Sequence, residues 1–161
     1  MIVPSDEIAD LAAVAAHYDD LDDLYRSFWG TSLHHGYWIT GKESIDEAVA
    51  NLTRLVAQMA GMRPGERICD LGCGYGAAAA LWQRDFGVDV TGITISEKQF
   101  RYGISALDNS RIQLIHGDAL HSNLPSAVFN VVTAVQSSEH MGDKESFFAE
   151  TNRLLRAGGR C

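Results

Sequence analysis

A strand that breaks into glycines and restarts as a helix leaves few folds open to a chain. Residues 67–77, Arg67-Ile68-Cys69-Asp70-Leu71-Gly72-Cys73-Gly74-Tyr75-Gly76-Ala77, form such a stretch. The apolar run Ile68, Cys69, Leu71 predicts a buried strand, Gly72 ends it, and the segment Ala77 to Trp82 has strong helix propensity. Strand, glycine-rich turn and helix in this order make a nucleotide-cofactor loop. Its glycines serve because a Cβ would block both the positive φ angles and the close approach of a ligand to the backbone.

Two cofactor classes use such a loop. Gly72, Gly74 and Ala77 satisfy the G-x-G-x-x-G/A dinucleotide spacing, a weak signal by itself. Asp70 discriminates between the classes. A carboxylate at the mouth of the strand repels a pyrophosphate approaching the helix N-terminus, which otherwise favours anions, and it attracts an ammonium. S-adenosyl-L-methionine carries an ammonium and no phosphate.

The rest of the chain surrounds this loop with alternating elements. Residues 5–16 predict a helix capped by Ser5, with Ile8, Leu11, Ala12 and Ala15 on one face. A second helix is expected from Asp19 or Asp20 to Trp29. A third runs from Glu43 to Gly61 with the apolar stripe Ile45, Ala48, Val49, Leu52, Leu55, Val56, Met59. Further strands are predicted at Val88–Ile93, Arg111–His116 and Phe129–Val135. Helices are predicted from Ser96 to about Leu107 and from Asp143 to Ala157-Gly158-Gly159. Strands alternating with helices imply an α/β fold, a Rossmann-like parallel sheet with an N-terminal helical cap. The expected division is a cap or lid over residues 1–61 and a core over residues 62–161.

The motif order D-L-G-C-G-Y-G, G-I-T-I-S-E-K-Q, G-D-A and S-S-E-H-M, then a helix ending L-L-R-A-G-G-R, resembles the class I S-adenosylmethionine-dependent methyltransferases. Within them it is similar to the small-molecule branch of tocopherol, sarcosine/dimethylglycine and natural-product methyltransferases, and to the cyclopropane fatty acid synthases. The resemblance implies that Asp70, Gly72, Cys73 and Gly74 hold the methionyl end of the cofactor. It implies that Thr94, Ile95 and Gln99 hold the ribose in place of the usual acid, and that Asp118 and Ala119 meet the adenine. Gln136 follows the fourth strand near the methyl-transfer position, where many relatives carry an acid. Tyr18 and the stretch His34-His35-Gly36-Tyr37-Trp38 resemble a lid, with Tyr37 and His35 expected to contact ligand and their aromatic neighbours suited to a sulfonium. Glu139 and His140 are the candidate bases where the acceptor must lose a proton. The family pattern has a fifth strand beginning at Gly159-Arg160-Cys161, so the sheet is expected to be truncated before it, with the fourth strand as an open edge.

The implied activity is methyl transfer to an O, N or C centre of a small molecule, natural product or lipid, with S-adenosyl-L-homocysteine as product. Cyclopropane-synthase-like lipid modification and non-catalytic cofactor binding stand as alternatives. A nicotinamide enzyme is disfavoured by Asp70 and Thr94. A net charge of −8 argues against a nucleic-acid substrate, and no apolar run reaches the roughly 20 residues that span a bilayer. The acidic N-terminal run, Asp19, Asp20, Asp22 and Asp23 among it, reads as a solvated face. Cys69, Cys73 and Cys161 have no metal-ligand spacing. The start of the chain lacks a signal-peptide pattern, so a cytoplasmic protein is expected. A second copy or a further C-terminal segment is expected to complete the sheet.

Overall fold

A computed structural model describes residues 11–161. Five parallel strands, β1 Arg67–Leu71, β2 Asp89–Thr94, β3 Ile112–His116, β4 Phe129–Thr133 and β5 Leu155–Arg160, lie in the order β3-β2-β1-β4-β5. The connections after β1, β2 and β4 carry helices α4 Ala77–Phe86, α5 Glu97–Ala106 and α6 Lys144–Leu154. Helices α1 Leu11–Asp20, α2 Asp22–Trp29 and α3 Ile45–Met59 precede the sheet. The strand order reverses between β1 and β4, and in open α/β sheets the crevice at such a switch point, beyond the carboxyl ends of the strands, is where ligands sit. None of the helices among the described residues is long and apolar enough to cross a membrane.

β1 is central and buried on both faces. Ile68 faces one core cluster with Trp82, Val88, Val90 and Val131, while Cys69 and Leu71 face another with Ile93, Phe129 and Leu154. That explains a near-continuous apolar run rather than an alternating one. Trp82, completely buried, turns its indole N–H onto the Thr53 carbonyl of α3 at 2.8 Å, fixing α3 against α4.

Three expectations change here. The sheet has its fifth strand: Leu155–Arg160 pairs with β4 through a bulge, where the sequence predicted the end of α6 and a sheet truncated before that strand. Chain direction switches at Leu155 without a loop. The Arg160 guanidinium then clamps the strand to the Ala60 and Gly61 carbonyls and to Glu66 at 2.6 Å. The open edge is therefore not that of β4. The buried face of α3 is also rotated from the predicted stripe. Ala48, Val49, Thr53 and Ala57 are inside, whereas Ile45 and Met59 are exposed. Small residues let α4 approach closely, and Thr53 is tolerated because its hydroxyl donates to the Val49 carbonyl at 3.0 Å. Finally, the first predicted helix differs in extent: α1 runs through Asp20, and its proposed cap Ser5 lies outside the described residues.

Helix α3 starts on a complete capping box. The Ser44 hydroxyl accepts from the Glu47 amide and the Glu47 carboxylate accepts from the Ser44 amide. Ser44→Ala is expected to cost about 1 kcal/mol, read as a lower urea midpoint with an unchanged m-value.

Candidate functional site

At the switch point the loop 72–76 turns under a single cavity. Asp70, Gly72, Cys73 and Gly74 line it from β1, and Thr94, Ile95 and Gln99 from the end of β2. Asp118 and Ala119 line it after β3, and Gln136 and His140 after β4. Tyr18 closes it from α1. Thus twelve of the fifteen candidate residues, scattered from position 18 to 140, border one space. Three do not. His35, Tyr37 and Glu139 are absent from the lining and exposed, and in place of Tyr37 and His35 the preceding residues Leu33 and His34 face the cavity. The reason is packing. The Tyr37 amide is bound to the Ala48 carbonyl at 2.7 Å, and a Cβ on Gly36 would meet Ala48 at 2.6 Å, so that part of the stretch is committed to α3.

Backbone geometry shapes the floor. Gly72, Gly74 and Gly76 all have positive φ, at 82°, 56° and 81°. The amides of Gly72 and Cys73 both donate to the Ile93 carbonyl at 2.8 Å, which ties the loop to β2. A Cβ on Gly74 would meet nothing nearer than Gln99 Oε1 at 3.8 Å, so its missing side chain leaves a cradle open toward the cavity. Gly72 is different, since its Cβ would land in the side chain of Ser137. Ser137 was not foreseen. It lines the cavity and its hydroxyl donates to the Leu71 carbonyl at 2.6 Å, seating the segment after β4 on the loop after β1.

Asp70 is the electrostatic centre. It is 2% exposed, Oδ1 accepts from the Thr133 hydroxyl at 2.9 Å, and Oδ2 has no donor among the described residues. Burial pushes its pKa up to about 7, only partly opposed by the Thr133 bond. A carboxylate so placed lacks a counter-charge. Cys73 lines the cavity and is buried. Its thiol packs against Gly92, where a Cβ would stand 2.7 Å from Sγ, and burial raises its pKa further from reactivity.

Around this centre the polar side chains are already oriented. The Thr94 hydroxyl donates to Gln99 Oε1 at 3.0 Å, leaving the Gln99 amide N–H groups as donors. Asp118 accepts from the Leu120 amide and from His121 Nδ1, each at 2.8 Å, so it is both a turn aspartate and a cavity wall. Asp89 opens β2 and pairs with Arg111 at 2.5 Å, at the end of the sheet away from the cavity. β2 itself therefore ends on the neutral Thr94. Gln136 holds φ at +50°, a conformation non-glycine residues seldom adopt, and its Oε1 accepts from the His35 amide at 2.7 Å.

The N-terminal helices are anchored on these same loops. Tyr18 Oη lies 3.1 Å from His140 Nε2, with the rings edge to face, and burial raises the Tyr18 pKa, helped by Tyr25 and Glu139. Asp22, 3% exposed, accepts from Tyr75 at 2.6 Å and pairs with Arg26 at 2.9 Å. Asp19 accepts from Ser96 at 2.5 Å. The acidic run is thus not simply a solvated face. His140 itself sits in a single 3₁₀ turn, Ser138–His140, whose carbonyl end is held by Lys144, bonded to the carbonyls of Ser138 and Met141.

Comparison with known proteins follows the same outline. Residues 5–161 match the family model described as mycolic acid cyclopropane synthetase. The chain is 39% identical over 147 residues to the 27-O-demethylrifamycin SV methyltransferase of Amycolatopsis mediterranei (strain S699), a match covering 89% of this chain and 54% of that protein. It superposes on the crystal structure of the [4+2]-cyclase SpnF with a TM-score of 0.86 and 31% identity, over 91% of this chain and 56% of that one. It superposes on mycolic acid cyclopropane synthase CmaA1 complexed with SAH and CTAB with a TM-score of 0.82 and 26% identity, over 91% and 53%. The chain spans about half the length of the curated relatives it matches.

Proposed function

This chain belongs to the mycolic acid cyclopropane synthetase family, and from that premise we propose that its cavity holds S-adenosyl-L-methionine and that the protein transfers the methyl group to an O, N or C centre of a small molecule. The observation that carries the reading is Asp70: a buried carboxylate with one oxygen unpartnered, open to a glycine cradle. The ammonium of a methionyl group is the counter-charge this arrangement lacks, and the cradle beside Gly74 admits its backbone-like chain. A pyrophosphate is repelled by the same carboxylate. Further support comes from Thr94 and Gln99, which offer a neutral donor and acceptor set for a ribose diol, and from Asp118 with the Ala119 amide at the position of an adenine.

The bound cofactor supplies a methyl on an electrophilic sulfonium, and the residues of the chain arrange the rest. Rate in an in-line displacement comes largely from holding the acceptor close and aligned. Leu11, Val14 and Leu33 give the cavity an apolar side toward the lid, which excludes water. His140 is the group placed to take a proton from the acceptor, its ring held by Tyr18. Glu139, exposed and outside the cavity lining, reaches the pair through its charge, which helps raise the Tyr18 pKa.

Calorimetric titration with S-adenosylmethionine, S-adenosylhomocysteine and NAD tests the cofactor. Binding of the first two with no heat from NAD is expected, and tight NAD binding alone would sink the reading. Because a [4+2]-cyclase shares this fold, transfer of labelled methyl into a metabolite extract tests the reaction separately from binding. Label recovered as a methyl group is the expected outcome. Label recovered as a ring methylene would assign the cyclopropane chemistry instead.

A further inference from the structure

We propose that Asp19 is a positioning residue that couples closure of the N-terminal helices to occupation of the cavity, an inference that rests on the S-adenosylmethionine reading above. Asp19 Oδ1 accepts from Ser96 Oγ at 2.5 Å and from the Lys98 amide at 3.2 Å, across 77 and 79 residues of sequence. Ser96 is the cap of α5 and is completely buried. Its hydroxyl in turn accepts from the Gln99 amide at 3.1 Å, and Gln99 Oε1 accepts from Thr94 at 3.0 Å. A continuous chain of hydrogen bonds therefore runs from the penultimate residue of α1 to the pair that faces the ribose.

The direction of each bond matters. With its proton committed to Asp19, the Ser96 oxygen turns its lone pair to the Gln99 amide, and the first turn of α5 is fixed. Fixing that turn sets the Gln99 side chain, whose oxygen is held by Thr94 and whose N–H groups are left for a ligand. The carboxylate also complements the positive end of the α5 dipole. Without Asp19 the hydroxyl is free to rotate and the Lys98 amide loses its acceptor. The neighbouring anchors act in the same sense. Tyr18 meets His140 after β4 and Asp22 meets Tyr75 after β1. Three residues of the stretch 18–22, Tyr18, Asp19 and Asp22, thus touch the segments following three strands that line the cavity, so lid position and cavity contacts cannot vary independently.

A purely structural cap would lower stability and leave affinity alone, and the test separates the two. S-adenosylhomocysteine is titrated into the wild type and into Asp19→Ala, Asp19→Asn and Asp20→Ala, and hydrogen exchange of residues 11–30 is followed with and without it. Wild type is expected to bind and to slow exchange in this segment. Asp19→Ala should bind about tenfold more weakly, and its ligand-dependent slowing should fall by the same factor, because coupling between two equilibria is reciprocal. Asp19→Asn keeps an acceptor at Oδ1 and should recover most of the affinity, and the exposed Asp20→Ala should match wild type. Asp19→Glu, which displaces the carboxylate by one methylene, should also bind more weakly and stands in where Asp19→Ala does not fold. Folded Asp19 variants with wild-type affinity and undiminished protection would overturn the coupling. A wild type that ignores the ligand overturns the cofactor reading itself.

Discussion

Asp70→Asn is expected to make the protein more stable and unable to hold its cofactor. A carboxyl group whose pKa stands at about 7 in the folded chain titrates near its ordinary value when unfolded. Below pH 4 it is neutral in both states and contributes nothing. Between pH 4 and 7 the unfolded state releases the proton while the folded state keeps it, so stability falls as pH rises, and above pH 7 the penalty is constant. Three pKa units correspond to about 4 kcal/mol. Asparagine keeps the acceptor for Thr133 and removes the charge. A gain of about 2–4 kcal/mol at pH 8, shrinking toward zero at pH 4, follows, visible as a melting temperature raised by several degrees. Binding should move the other way. Removing one member of a buried charge pair costs about 3–5 kcal/mol, which weakens S-adenosylhomocysteine by at least a hundredfold. Melting curves of the two proteins should therefore cross as ligand is added, since ligand stabilises only the protein that binds it. A variant that binds as tightly as wild type would remove the ammonium argument. A gain over wild type no larger at pH 8 than at pH 4 would show that Asp70 is not desolvated.

Such a trade of stability for a functional charge was legible in the sequence because its determinants are local. Asp70, Gly72 and Gly74 lie within five residues, and the helix that follows begins at Ala77. Ser96 and Asp143, readable as helix starts for the same reason, are the caps of α5 and α6. Contacts across the chain were not. Tyr18 and His140 are 122 residues apart, and each alone is as consistent with packing as with chemistry. Asp19 and Asp22 looked like members of a solvated acidic face, because composition records charge and not the partner that receives it. On α3, apolar size does not predict burial. Trp82 and α4 demanded small residues there, so Thr53 and Ala57 went inside and Met59 out. Strand β5 was hidden by its own composition, as Ala157, Gly158 and Gly159 read as a helix ending while pairing with β4 decided the matter.

The two glycines of the loop should fail in different ways when each is replaced by alanine. At Gly72, with φ at +82°, a Cβ would be driven into Ser137 and stand 2.8 Å from its Oγ. Ser137 cannot give way cheaply, because its hydroxyl holds the Leu71 carbonyl at 2.6 Å and its own carbonyl accepts the His140 amide at 3.1 Å. Strained backbone and overpacking together place Gly72→Ala at about 3 kcal/mol of lost stability, and the turn bearing His140 shifts with it. At Gly74 the protein leaves room, with the nearest atom 3.8 Å away, so alanine costs only the left-handed backbone penalty of about 1–2 kcal/mol. The space its methyl fills is the cradle. Gly74→Ala should therefore lose less stability in urea than Gly72→Ala and yet lose S-adenosylhomocysteine affinity by about a hundredfold, which is about 2.7 kcal/mol. The double variant Gly72→Ala with Ser137→Gly relieves the clash and should regain stability beyond the sum of the single effects, a coupling that a double-mutant cycle measures directly. If Gly74→Ala binds undiminished, the ligand does not lie against this loop. If the Gly72 and Ser137 effects simply add, the segment after β4 is not seated on the glycine as the structure has it.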